Sequence, residues 1–102
     1  MEFIETPLFE KVSKALLSDQ EIAQIQMALI SYPAMGALIP GAGGLRKLRW
    51  VGGGKGKRGG LRIIYYWVTK DNQIYFLYVY KKNRQEDLTA DQIKHLRTLL
   101  ED

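Results

Sequence analysis

The sequence predicts an α+β fold with two N-terminal helices, a mainly antiparallel sheet of about four strands, and a C-terminal helix. Three observations predict it. Helix-start signals sit near both ends of the chain. Apolar residues recur at helical spacing behind each of them. The middle of the chain carries β-branched and aromatic runs separated by glycine or turn residues. Helices and strands are segregated, and their connections are short, so the strands pair as hairpins.

Phe3-Ile4, flanked by Glu2 and Glu5, reads as a short edge strand. Thr6-Pro7 supplies an N-cap and a proline at the first helical position. Phe9, Val12 and Leu16 then repeat along one face, so a first helix is expected through about Leu17. Ser18 and Glu21 form a capping box for a second helix, with Ile22, Ile25, Leu29 and Tyr32 on its stripe and Pro33 ending it. Residues 33–44, rich in Pro, Gly and Ala, read as a loop. Strands are expected over 45–51, 61–69 and 74–80, the second and third joined by the turn Lys70-Asp-Asn-Gln73. Thr89 and Gln92 make a second capping box, and Ile93, Leu96 and Leu100 stripe the last helix.

The 102 residues fit one domain, residues 1–102, with an ordinary apolar fraction of 46%. The net charge of +4 is unevenly placed: seven Lys/Arg and no carboxylate lie in Gly44–Arg62, while the remaining eight basic residues face eleven acidic ones. Only one side of the molecule is built for an anion. Such a surface binds nucleic acid through phosphates, which need no exact geometry. The chain has no cysteine, which excludes disulfides and Cys-based metal sites and suits the cytoplasm. The acidic N-terminus carries no signal-peptide core, and no apolar run reaches bilayer-spanning length, so no membrane association is expected.

Gly54-Lys-Gly-Lys-Arg-Gly59 matches G-x-G-x-x-G, but it leads into a strand where a dinucleotide site needs a helix N-terminus. The P-loop pattern fails too, since no Ser or Thr follows its Gly-Lys pairs. A metal-dependent nuclease needs clustered carboxylates, and the basic segment has none. His95, the only histidine, lies off the apolar stripe of the last helix. What remains is chemistry by Lys, Arg and Tyr, with no cofactor. RNA can be cut by its own 2′-hydroxyl if the protein removes that proton, balances the phosphoryl charge and assists the leaving 5′-oxygen. Arginine suits the second task, and a lysine crowded by cations has a lowered pKa and suits the first. Lys55, Lys57 and Arg58, close in sequence with Arg62 next after them, are the residues expected to crowd one another in that way. A solvated hairpin tip stands as the alternative for the same loop.

A three-residue turn after Lys70 places Arg62 opposite Lys82, and a two-residue turn places it opposite Lys81. Either puts two cations across from each other, which is easier to explain with an anion between them; long side chains that splay apart into water stand as the alternative. Among the aromatic residues of these strands, most are expected to belong to sheet packing, and one or two near the basic end, Tyr80 above all, are candidates to stack on a base.

Three segments carry a family resemblance: Gly44-Leu-Arg-Lys-Leu-Arg49, Gly54-Lys-Gly-Lys-Arg-Gly-Gly-Leu-Arg-Ile-Ile-Tyr-Tyr66 and Tyr78-Val-Tyr-Lys-Lys-Asn83. Together the chain resembles the RelE/ParE superfamily of type II toxins, and within it the HigB-type RelE-like subgroup. The resemblance implies a ribosome-dependent endoribonuclease that cleaves mRNA and stops translation. It implies a cognate antitoxin, expected to carry a helix-turn-helix and to be encoded adjacently, whose complex binds operator DNA. It also implies a curved sheet with helices on one side. By position, Arg62 corresponds to the arginine that contacts the scissile phosphate and Lys82 to the basic residue at the end of the next strand. Lys55, Lys57 and Arg58 correspond to the subgroup's basic loop. Arg46, Lys47 and Arg49 lie where these toxins keep basic residues, and Lys81 adjoins Lys82. The catalytic set is thus Arg62, Lys82, Lys57 and Lys55; the RNA-binding set is Arg46, Lys47, Arg49, Arg58, Lys81 and Tyr80. One departure stands out: no tyrosine follows the last strand, where RelE toxins often place one. Glu86 and Asp87 lie there instead and read more readily as helix-start carboxylates. Two other functions fit the fold class: a ParE-like gyrase inhibitor, which would lack the basic cluster, and an RNA-binding module without chemistry.

Overall fold

The computed structural model describes residues 1–51 and 60–101. Its elements are β1 (Glu2–Glu5), α1 (Pro7–Ser13), α2 (Asp19–Ser31), β2 (Ala37–Leu38), β3 (Arg46–Trp50), β4 (Leu61–Val68), β5 (Gln73–Lys81) and α3 (Ala90–Thr98). They build one five-stranded sheet in the order β1-β5-β4-β3-β2. The β2–β3–β4–β5 ladder is antiparallel, and β1 joins β5 in parallel at the edge.

Local chemistry sets the helix starts as expected. The Thr6 hydroxyl accepts from the Phe9 amide at 3.2 Å and donates to the Phe76 carbonyl at 3.0 Å, so one buried side chain caps α1 and ties it to β5. Both capping boxes form, at Ser18/Glu21 and at Thr89/Gln92. Helix α1 is shorter than its stripe suggests: it stops at Ser13, and a turn carries Leu16 and Leu17 back onto the core. On α2, Ile25 and Leu29 are buried, but Tyr32 is exposed. Tyr32 is the C-cap, with φ −150° and ψ 84°, so the helical period ends before it and its ring leaves the stripe. The fifth strand, β2, lies in the segment that reads as a loop. Only its pairing of Ala37 with Lys47 and Leu38 with Arg46 makes it a strand.

The sheet is covered on both faces. Phe9, Leu17, Ile25 and Leu29 of the N-terminal helical region pack against Leu48, Ile63, Tyr65 and Phe76. Leu96 of α3 packs against Ala42, Leu45, Ile64, Leu77 and Tyr80 on the other side. Cover on one side alone, implied by the resemblance, therefore does not hold: alternate residues Ile63 and Ile64 are both fully buried, and each needs its own apolar partner layer.

Two backbone features position the strand ends. Gly60 enters β4 at φ +79°, and a side chain there would meet the Trp50 carbonyl oxygen at 2.8 Å. A β-bulge interrupts the β4–β5 ladder: Tyr65 faces Phe76, but Ile64 faces Tyr78, which leaves Leu77 as the extra residue. Leu77 and Tyr78 consequently both belong to the α3 side. Among the described residues, no helix is long and apolar enough to cross a membrane.

Candidate nucleic-acid site

The bulge decides which cations meet. The expected turn of two or three residues is instead four residues long, Thr69 to Asn72, between the paired Val68 and Gln73. With the bulge added, Arg62 lies opposite Tyr80, and Lys81 lies opposite Leu61. The expected pairing of Arg62 with Lys81 or Lys82 is thereby corrected. A cation pair does face across the sheet, but on the other flank: Arg49 of β3 is the direct partner of Arg62. Without the extra residue, the alternation that sends Ile74 and Phe76 to the α1–α2 face would send Tyr80 and Lys82 there too. With it, Lys82 joins Arg62.

The result is a cleft of about 260 Å³ lined by Lys47, Arg49, Arg62, Lys82, Glu86 and Asp87. Lys47 and Arg49, two apart on β3, share its face. Lys82 continues the ladder past β5, its amide donating to the Gly60 carbonyl at 3.2 Å. Arg62 is only 5% exposed, and its Nη1 donates to the Leu61 carbonyl at 3.2 Å. A guanidinium held this deep has few positions open to it, so its planar head is fixed at the floor of the cleft. Lys47 Nζ lies 2.9 Å from Asp87 Oδ1.

The two carboxylates come from the connector between β5 and α3. Helix α3 begins at Ala90 behind the Thr89 cap, and the acid in its first turn is Asp91. Glu86 and Asp87 are therefore not helix-start residues, and Asp87 reaches across the cleft to Lys47. The signal was available: a capping box at Thr89 leaves the preceding residues outside the helix.

Not every candidate reaches the cleft. Tyr80 is 5% exposed and packed with Leu45, Ile64, Leu77 and Leu96, so its ring is committed to the core beneath the cleft. Its hydroxyl points to the Glu86 carbonyl at 3.5 Å. Burial, seconded by the Asp87 charge, pushes the Tyr80 phenol above its ordinary range, and Arg62 opposes the shift. Arg46 is a structural tie, its Nη1 donating to the Gly36 and Ala34 carbonyls at 2.7 and 3.3 Å. Lys81 opens onto a separate groove with Lys11 and Arg84. Lys55, Lys57 and Arg58 lie outside the described residues. His95 lines another hollow, with Tyr78 and Leu96. Among the described residues, no three His, Cys, Asp or Glu side chains gather as a metal site requires.

Fold and cleft together define a small mixed-sheet protein with a cationic hollow at the end of its central strands. The sequence model for the RelE toxin of the RelE/RelB toxin–antitoxin system matches residues 5–102. The chain belongs to the RelE toxin family. Two solved structures are similar in fold. A double arginine-to-alanine mutant of the E. coli toxin RelE in the free state gives a TM-score of 0.62 at 15% identity, covering 83% of this chain and 86% of that one. The intact E. coli RelBE toxin–antitoxin complex gives 0.53 at 14% identity, covering 78% and 94%.

Proposed function

We propose that this toxin is a ribosome-dependent endoribonuclease that cuts mRNA without a metal and so stops translation. The observation that carries the reading is the convergence of Arg62, Arg49, Lys47 and Lys82 on one cleft. Four cations around a hollow of this size suit one phosphodiester and its neighbours. In this reading Arg62 and Lys82 hold the scissile phosphate and take up charge as it develops on the phosphoryl oxygens. The 2′-hydroxyl gives up its proton and attacks phosphorus, the bond to the 5′-oxygen breaks, and that oxygen is protonated as it leaves. The products are a 2′,3′-cyclic phosphate and a free 5′-hydroxyl. Lys55 and Lys57 are the proposed proton-transfer groups, with Arg58 beside them on the RNA. They belong to the Lys/Gly segment that marks the HigB-type subgroup.

The same reading supplies partners and place. The solved RelBE complex holds its toxin with an antitoxin. By analogy this chain, acting as one domain in the cytoplasm, is held by a cognate antitoxin encoded beside it and meets operator DNA only through that complex. The test is induction of the wild type and of Arg62→Ala in a bacterial host, with cleavage mapped on ribosome-bound mRNA by primer extension. The wild type should arrest growth and cut message, and Arg62→Ala should do neither. Equal arrest by both, with mRNA intact, refutes the proposal; inhibited DNA supercoiling in that case would point to a gyrase inhibitor.

A further inference from the structure

A second hollow adjoins the cleft. It measures about 390 Å³, and Leu38, Ile39, Pro40, Leu88 and Ile93 supply its apolar walls. Lys47 and Asp87 line this groove and the cationic cleft alike, so their 2.9 Å ion pair stands where the two meet. Leu38, at the end of the outermost strand, is 58% exposed although it faces a concave site. Apolar walls with polar groups at the mouth are the composition of a small-ligand site. A phosphate-sized hollow with four cations next door makes the ligand a piece of the same polymer.

We infer that this groove is a nucleobase subsite, and that Asp87 makes it select bases carrying an exocyclic amino group. The inference rests on the reading that the cleft holds RNA phosphate. Single-stranded RNA is recognised by splaying a base into an apolar slot and reading its edge, while the adjoining phosphate is held by cations. Here the exchange of partners is built in. When a phosphate takes Lys47, the Asp87 carboxylate loses its cation and becomes a free acceptor at the mouth of the groove. Cytosine, adenine and guanine offer it an amino N–H, as carboxylates accept from cytosine N4 in DNA readout. Uracil offers a carbonyl oxygen at the matching edge of cytosine's amino group, and two acceptors repel. The pair thus couples phosphate binding to base choice, and the leucine and proline walls supply contact that any base can use.

The experiment measures binding of short single-stranded RNAs to the intact chain by fluorescence anisotropy. The oligomers differ at one position, which carries C, A, G, U or no base. The wild type should bind the amino-bearing oligomers about five- to tenfold tighter than the uracil one, and the abasic one most weakly. Asp87→Asn should remove the preference against uracil. Leu38→Ser, at an exposed position that tolerates a polar side chain, should weaken every base-bearing oligomer and leave the abasic one unchanged. Equal affinity for the abasic and base-bearing oligomers, or variants that shift all oligomers alike, overturns the subsite while leaving the phosphate cleft intact. Absence of any salt-sensitive binding, with Arg62→Ala indistinguishable from wild type, overturns both. Base preference without cleavage on ribosomes would remove the nuclease reading and keep the subsite.

Discussion

On β4, Leu61, Ile63 and Tyr65 face α1 and α2, whereas Arg62 and Ile64 face the side that α3 covers. All five are buried. The first face is filled along its length by aliphatic side chains and a run of stacked rings, with Phe76 5.5 Å from Phe3 and 5.1 Å from Phe9 between centroids. The second face is divided. Nine-residue α3 covers Ile64 and Leu77, but the strand ends beyond it carry Lys47, Arg49, Arg62 and Lys82. A helix over those cations would have to take Lys47, Arg49 and Lys82 out of water as well as the already buried Arg62, at a cost of several kcal/mol per ion. The difference teaches where function enters a small fold: one face supplies the stability, and the incomplete cover of the other leaves a charged floor open.

The sharpest way to break that comparison is to empty the closed face. Phe76→Ala removes the central ring of the stack and should cost about 3–5 kcal/mol, read from denaturant unfolding. A loss below 1 kcal/mol would mean that the face is not the stabilising one. On the divided face the expectation reverses. Arg62→Ala should lower mRNA cutting about a hundredfold or more while thermal unfolding stays cooperative. If it unfolds the chain as Phe76→Ala does, Arg62 is part of the core and the comparison fails.

Tyr65→Phe probes a polar bond inside the closed face. The Tyr65 hydroxyl donates to the Pro33 carbonyl at 2.7 Å and accepts from the Gly36 amide at 2.8 Å, pinning the segment that leads into β2. Removing it strands both backbone groups and should cost about 1–3 kcal/mol. The same residue gives a pH signature. Burial raises the Tyr65 phenol above its ordinary 10.0, so the folded chain keeps a proton that the unfolded chain releases. Stability should fall as pH rises past 10 towards the folded value, with a shallower fall in Tyr65→Phe. An unchanged slope between pH 9 and 11 would count against that burial. The smallest effect is expected at the mouth of the cleft. Asp87 is 72% exposed, so Asp87→Asn should change stability by less than about 1 kcal/mol. A larger loss would make the Lys47 pair a structural element.

Most elements were legible because their signals are local. Ser18, Thr89 and Thr6 cap helices where each side chain can reach its own third residue, and the β-branched runs of β4 and β5 fit only a pleated, buried surface. Strand β2 was not legible, since two residues become a strand only through the partner they meet. The site divides in the same way. The acid-free basic stretch marks Lys47, Arg49 and Arg62 as candidates, and alternation puts Lys47 and Arg49 on one face, but only the β3–β4 register sets Arg62 opposite Arg49. Lys82 joins them only because Leu77 bulges.

By itself, the sequence determined the charge segregation, the order of the helices and of every strand except β2, and the amino acids chemically suited to a phosphate. Each depends on residue type and on spacing within a few positions. The tertiary structure alone decided that α3 lies opposite α1 and α2, that Tyr80 belongs to the core, and that Asp87 faces Lys47 forty residues away. Those outcomes depend on ladder register, and one extra residue in a strand exchanges the faces of every side chain beyond it.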